Sequence, residues 1–193
     1  MQRRKFKTIK HYHEPGDLHE LTFSCYRQMK LLTNDAWRGY LSRSVDEAGE
    51  QFRFHLVAFV FMPEHVHLLV LPLDKEPAID RYLAAVKRPV SADVKRNLVA
   101  AHSPLLRRLT VRERPGKEAF RFWQEGPGYD RNLQRPATVL SSIDYIHLNP
   151  VRRGLVTEAR LWKWSSARFY LSDGQDIDPD LPRITPMPAE FWA

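Results

Sequence analysis

The chain has 193 residues, 43% hydrophobic and 27% charged, which suits one globular domain with a sizeable core. Thirty Lys and Arg against 23 Asp and Glu give a formal charge of +7, which favours polyanionic partners, nucleic acid first and an anionic membrane surface second. A single cysteine, Cys25, excludes an internal disulfide and a multi-cysteine zinc site, and the longest apolar run, Leu56 to Met62, is too short to cross a bilayer.

Residues 1–17 read as a basic arm: five of the first ten are Lys or Arg, and Pro15-Gly16 marks a turn. Arg3, Arg4 and Lys5 can lie along phosphates, or the arm can simply be solvated. No apolar run follows the basic start, so it is not expected to be a secretory signal, and with one cysteine the expected compartment is the cytoplasm. Leu18 to Tyr26 alternates Leu21, Phe23 and Cys25 against Thr22 and Ser24, predicting a strand. A helix is expected from Asn34 to Ala48, capped by Asn34 or Asp35, with Trp37, Leu41 and Val45 at helical spacing. Gln51 to Met62 and His65 to Pro72 predict two strands joined tightly at Pro63-Glu64, an antiparallel hairpin in the centre of a sheet.

Pro77 to about Ala101 is helical in pattern, with Ile79, Leu83, Val86, Val90 and Val94 on one stripe, and Pro89 is expected to kink or break it. Residues 102–118 read as a basic loop, and Phe120 to Trp123 as a short strand. Pro136 to Leu148 predicts a helix with proline in its first turn, stopped by Asn149-Pro150. Leu161 to Leu171 predicts a short helix, and residues 173–193, with Pro179, Pro182, Pro186 and Pro188, an extended tail. The order predicts an α+β fold, an antiparallel sheet with helices packed against a face and a ferredoxin-like split βαβ core. The folded domain would then span residues 18–172.

Two constellations carry chemistry. In Glu64-His65-Val66-His67-Leu68, the histidines are i and i+2 on a strand and project to one face, about 7 Å apart at Cα, so they can converge on a metal ion. An isolated His-x-His is more often two polar residues on a solvated sheet face. In Asp144-Tyr145-Ile146-His147-Leu148-Asn149-Pro150, Tyr145 and Asn149 are i and i+4 on a helix and therefore neighbours. A tyrosine near a metal can ionise and attack phosphorus, and an asparagine oxygen suits a hard cation. Read alone, the tyrosine is a half-buried helix residue and Asn-Pro a helix stop. Together, His65, His67 and Asn149 could hold a divalent cation, Mg²⁺ or Mn²⁺, while Tyr145 attacks in line to give a 5′-phosphotyrosine and a free 3′-hydroxyl without ATP.

The stretch FVFMPEHVHLLVLP resembles the His-hydrophobic-His strand of the HUH endonuclease superfamily. DYIHLNPVRRGLV resembles the tyrosine helix of its single-tyrosine transposases, in particular the REP-associated group. Phe122-Trp123-Gln124 with Tyr129-Asp130, and Trp164-Ser165-Ser166 with Tyr170, are similar to two further blocks of that group. The resemblance implies a ferredoxin-like sheet and cleavage of single-stranded DNA near hairpins formed by repetitive extragenic palindromes. It implies Tyr145 as nucleophile, His65, His67 and Asn149 as metal ligands, and a nucleoid-associated monomer or homodimer.

Candidate phosphate-binding residues are Lys87 and Arg88 on the second long helix, Arg107, Arg108, Arg112 and Arg114 in the basic loop, and Arg152 and Arg153 after the tyrosine helix. Each cluster could instead be a solvated basic face. Phe122, Trp123 and Tyr129 could stack on unpaired bases, although Trp123 sits in an apolar stretch that suits a core. A replication initiator or relaxase would share this chemistry in a larger chain. A non-cleaving hairpin-DNA-binding protein or repressor would not need the two histidines, the tyrosine and the asparagine together, and a water-using metal hydrolase would not need Tyr145.

Overall fold

The computed structural model describes residues 16–126 and 128–192. In chain order the elements are β1 (Leu18–Ser24), α1 (Asp35–Phe52), β2 (Phe54–Phe61), β3 (His65–Pro72), α2 (Ile79–Ala100), α3 (Pro104–Leu109), β4 (Thr110–Arg114), β5 (Lys117–Phe120), β6 (Tyr129–Leu133), α4 (Pro136–Arg152) and α5 (Ala167–Leu171). The basic arm, with Arg3, Arg4 and Lys5, falls on residues 1–15, outside the described residues.

β1, β2, β3 and β6 form one antiparallel sheet in the order β2-β3-β1-β6, the ferredoxin-like arrangement with β6 as the fourth strand. The fold is α+β as expected. Helices pack on the sheet as expected, and they cover both of its faces. Leu21, Phe23, Phe59, Phe61, Val66, Leu68 and Val70 form one core with α1 and α2. Leu18, Val57, Val60 and Leu69 form another with Val139, Ile143 and Ile146 of α4. A sheet buried on both sides needs near-continuous apolar strands, and β2 and β3 read that way.

The β2–β3 hairpin does not sit in the centre of the sheet as expected, because β2 is an edge. An apolar edge strand invites pairing with other chains unless it is covered. Here Phe61 N donates to Trp164 O at 2.8 Å, Ser166 N to Phe59 O at 3.1 Å and Thr185 N to Leu56 O at 2.8 Å. These pairings explain why the expected helix over Leu161 to Leu171 shrinks to α5: Trp164 to Ser166 are spent on the edge of β2. The proline-rich tail is largely extended, with turns at 173–174 and 179–180 and a 3-10 turn at Ala189–Phe191. Arg183 anchors it to Asp46 and Glu50 of α1.

Asn34 caps α1 by accepting from Trp37 N at 3.2 Å. α2 continues through Pro89, where a kink or break was expected. The Lys87 carbonyl, in the turn before this proline, accepts from Trp123 Nε1 at 2.9 Å and Ser91 Oγ at 3.1 Å. α4 likewise passes the expected stop at Pro150 and ends at Arg152, followed by Gly154 at φ 66°, whose N–H closes on Val151 O at 2.9 Å. The segment read as a basic loop is instead α3, capped by Ser103, and the β4–β5 hairpin. The strand expected over Phe120 to Trp123 ends at Phe120 as β5, while Trp123 forms a single bridge to Cys25.

β6 was not anticipated. Of Tyr129, Asp130, Arg131, Asn132 and Leu133 only Leu133 is a buried hydrophobic. The strand is held by its ladder to β1, by Asp130 on His19 at 2.8 Å and by Asn132 on Asp17 at 3.1 Å. Gly128 delivers the chain into it at φ +81°, and a Cβ there would lie 2.3 Å from the Thr22 carbonyl oxygen. Gly128→Ala is therefore expected to lower the unfolding free energy by about 2 kcal/mol or more, read from urea midpoints, since positive φ and a backbone clash act together. An unchanged midpoint would show that this entry turn does not fix β6.

Candidate active site

β3 and α4 build the site. On β3, Val66, Leu68 and Val70 enter the α1–α2 core, so His65 and His67 emerge on the α4 side, with ring centroids 4.9 Å apart. On α4, Val139, Ile143 and Ile146 bury against the sheet and carry the i, i+4 pair Tyr145 and Asn149 over the histidines. The Tyr145 ring stands nearly perpendicular to the His67 ring, centroids 5.6 Å apart, and remains 41% exposed. The Asn149 amide is buried with Nδ2 at 3.3 Å from His67 Nε2. The three side chains therefore meet within one chain.

The hydrogen bonds fix the tautomers. An amide nitrogen only donates, so His67 Nε2 accepts, and Nδ1 carries the proton that it gives to Thr22 Oγ1 at 2.9 Å. His65 Nδ1 lies 3.0 Å from Glu64 Oε1; a carboxylate only accepts, so Nδ1 donates and Nε2 keeps its lone pair. Arg153 Nη2 donates to the same carboxylate oxygen at 2.7 Å. Burial lowers the His67 pKa to about 4, helped by His65 alongside. Burial also lowers His65, against the opposing pull of the Glu64 carboxylate. Both imidazoles are thus neutral near pH 7, the form that ligates metal.

Of the basic residues singled out in the sequence, Arg152 and Arg153 reach the site. The Arg152 guanidinium carbon lies 5.2 Å from the Tyr145 ring centroid. Lys87 and Arg88 are on α2, across the sheet from Tyr145. There the Lys87 ammonium sits 5.4 Å from the Phe23 ring, and both line a groove of about 620 Å³ with Arg121 and Trp123. Arg107 and Arg108 are exposed on α3, and Arg112 and Arg114 on β4. Phe122 and Trp123 are buried and unavailable for stacking on bases, whereas Tyr129 is 56% exposed.

Three site residues escaped the sequence reading: Glu64, Thr22 and Glu20. Glu64 was seen only as part of a turn. Thr22 and Glu20 mark the non-apolar face of β1, but only the register Thr22↔His67 puts that face beside the histidines. A cavity of about 720 Å³ between the sheet and α4 is lined by His67, Tyr145, Glu20, Tyr129 and Arg131. Among the described residues no group of three or more His, Cys, Asp or Glu could hold a metal ion.

No protein-family model matches the chain. In sequence it is similar to a Haemophilus influenzae protein described as a REP-associated tyrosine transposase, 24% identical over 157 residues that cover 78% of this chain and 82% of the relative. It shares its fold with a REP-associated tyrosine transposase solved bound to a REP hairpin, with a TM-score of 0.65 at 17% identity over 94% of this chain and 99% of that one. A crystal structure described as a Deinococcus radiodurans transposase aligns with a TM-score of 0.40 at 20% identity, over 74% of this chain and 98% of that one. Among the described residues no helix is long and apolar enough to cross a membrane.

His147, on the buried side of α4, donates or accepts through Nε2 with Ser166 Oγ at 2.8 Å, and burial lowers its pKa to about 4. The unfolded chain takes up this proton near 6.5 and the folded chain only near 4, so the contribution of neutral His147 is complete above pH 6.5 and is lost as pH falls toward 4. In chelator, the urea midpoint is expected to fall across this window, by up to about 3 kcal/mol in free energy for one such histidine. His147→Gln should flatten the dependence. A profile of equal slope in the variant would remove His147 from the account.

Proposed function

We propose that the chain is a transposase that cleaves and rejoins single-stranded DNA beside palindromic hairpins, with Tyr145 as nucleophile. The observation that carries the reading is the convergence, in one chain, of the Tyr145 ring edge-to-face with His67 and of the Asn149 amide against His67 Nε2. Its likeness in sequence to a REP-associated tyrosine transposase, and in fold to one bound to a REP hairpin, supports a hairpin-forming DNA substrate. The formal charge of +7 suits such a partner, and the place of action would be the cytoplasm, at the nucleoid.

The donors fit a hard divalent cation of the Mg²⁺ or Mn²⁺ kind. Both histidines turn a lone-pair Nε2 away from their Nδ1 partners, and rotating the Asn149 amide by half a turn puts its oxygen beside His67 Nε2. The 3.3 Å separation there is close to the roughly 3.0 Å between adjacent ligands on an octahedral ion with bonds of about 2.1 Å. His65 Nε2, His67 Nε2 and Asn149 Oδ1 would be the ligands. When bound, the cation would polarise the scissile phosphate and stabilise charge on its oxygens.

Everything else falls to the protein. Thr22 and Glu64 hold the two rings in orientation through Nδ1, and Arg153 holds Glu64. Arg152 places positive charge against Tyr145, where the phosphodiester must arrive. The phenolic oxygen of Tyr145 bonds to phosphorus as the bond from phosphorus to the 3′-oxygen breaks. The phenolic proton is lost to solvent, and the leaving 3′-oxygen ends protonated. The resulting 5′-phosphotyrosine keeps the phosphodiester bond energy, so attack by another 3′-hydroxyl restores Tyr145 and joins new ends.

The test is incubation with labelled hairpin oligonucleotides bearing single-stranded flanks, in Mg²⁺ or Mn²⁺, followed by denaturing electrophoresis. A covalent adduct is expected from the wild type and none from Tyr145→Phe, with His67→Ala strongly reduced. Hairpin binding without adduct in either metal would leave a non-cleaving hairpin-binding protein. Glu64→Gln is expected to weaken Mn²⁺ affinity 10- to 100-fold by calorimetry while the fold is retained, as for loss of a carboxylate that orients a ligating imidazole. Unchanged affinity would detach Glu64 from the metal site.

A further inference from the structure

The cavity beside Tyr145 contains a carboxylate for which the cleavage chemistry has no use. Glu20 lies on β1 two residues before Thr22, facing α4, and is only 6% exposed. Its Oε2 accepts from the Ser142 hydroxyl at 3.1 Å and lies 3.9 Å from Arg131 Nη1. Its Oε1 has no hydrogen-bond donor among the described residues. Oε1 is not closed off from solvent, and Glu20 lines a cavity of about 720 Å³, a size typical of ligand sites, so an acceptor without a protein partner faces space that a ligand can fill. Ser142 and Tyr145 are i and i+3 on α4, so Glu20 sits about one helical turn from the nucleophile. Tyr129, half exposed on the same wall, offers an aromatic face.

We propose that this cavity holds one unpaired nucleobase of the DNA flank, and that Glu20 selects a base bearing an exocyclic amino group and rejects thymine. The inference rests on the reading of Tyr145 as acting on single-stranded DNA. A phosphate would be repelled by Glu20 and belongs with Arg152 and the histidines. The base of the neighbouring nucleotide can stack on Tyr129 and enter the cavity edge-first. Glu20 Oε1 is an acceptor, and the Arg131 guanidinium beside it is a donor. Cytosine offers an N4 amino donor next to an acceptor N3, and adenine an N6 amino donor next to an acceptor N1; guanine offers N1–H and N2 amino donors next to O6. Thymine has no amino group, and its one donor on that edge, N3–H, is flanked on both sides by carbonyl oxygens whose lone pairs would be set against the carboxylate.

The experiment uses full-length Tyr145→Phe protein, in which no covalent step intervenes. Hairpin oligonucleotides with an all-dT flank compete against flanks in which single positions are changed to dC. One position next to the hairpin flank's cleavage register is expected to tighten binding about ten-fold on changing dT to dC, the size of a good base-edge contact. Glu20→Gln, which keeps the shape of the side chain, should reduce that preference to under about three-fold while binding of the bare hairpin is unchanged. A test that needs no variant of Glu20 replaces the favoured dC by the deoxynucleoside of 2-pyrimidinone, cytosine without its amino group, which should bind like dT. No dC preference at any position, a preference that survives Glu20→Gln, or a 2-pyrimidinone that binds like dC would each overturn the proposal. Because these are binding readouts, a Glu20-dependent preference without any wild-type adduct would refute the cleavage reading alone, and an adduct without the preference would refute the base-selection proposal alone.

Discussion

The site depends on one packing contact, the apolar stripe of α4 lying across the sheet. Val139, Ile143 and Ile146 pack with Val57, Val60 and Leu69, and each such side chain contributes about 1.5–3 kcal/mol when buried. Helical periodicity does the rest. With that stripe turned into the sheet, Tyr145 and Asn149 have nowhere to point but along the strip that holds His65 and His67. His147 reinforces the contact from the far side by bonding Ser166, whose hydroxyl also serves the backbone of Phe59. The position of the candidate nucleophile is therefore a consequence of hydrophobic packing, and the polar side chains of the site are passengers on it.

A polar strip on a sheet buried on both faces carries a desolvation cost, and the hydrogen bonds show how it is met. Neither histidine is charged near neutral pH, because burial disfavours the imidazolium. Each gives its Nδ1 proton to a named acceptor, Thr22 or Glu64, and the Glu64 carboxylate is balanced by Arg153 at the end of α4. Glu64 and Arg153 tie the loop before β3 to the residue that follows α4, so the two halves of the site are joined at one end by an ion pair and in the middle by Asn149 on His67. Among the described residues His65 Nε2 and Glu20 Oε1 have no hydrogen-bond partner, and both belong to the strip between the sheet and α4.

The sheet also has to protect its edge. β2 is among the most apolar segments of the chain, yet it is the outermost strand on its side. Trp164 to Ser166 and the tail around Thr185 supply the missing backbone partners, and Arg183 holds the tail to α1. Prolines in the tail suit this role, since a segment that donates only at selected positions can cover an edge without offering a new one. At the opposite edge, β6 is short and polar, and it brings Tyr129 and Arg131 to the cavity beside Tyr145.

Much of this was legible from residue spacing. The i, i+2 histidines, the i, i+4 Tyr145 and Asn149, the Asn34 cap and the long apolar strands each follow from local periodicity, which the chain carries in its own order. What failed were features whose cause is non-local. Pro89 and Pro150 signal breaks, but α2 and α4 pack along their length and continue through them. β6 has almost no apolar signal, because its stability comes from a ladder to β1 more than a hundred residues away in sequence. The central place assigned to the hairpin failed for the same reason: strand order is decided by which strands pair, and apolar content does not distinguish an edge that the chain itself covers. The sequence alone determined that Tyr145 and Asn149 share a helix face and that His65 and His67 share a strand face. Only the tertiary structure decided that α4 lies on that face, that Glu64, Thr22 and Glu20 join the site, and that Lys87 and Arg88 lie across the sheet from it, because those relations are set by packing and strand register between distant segments.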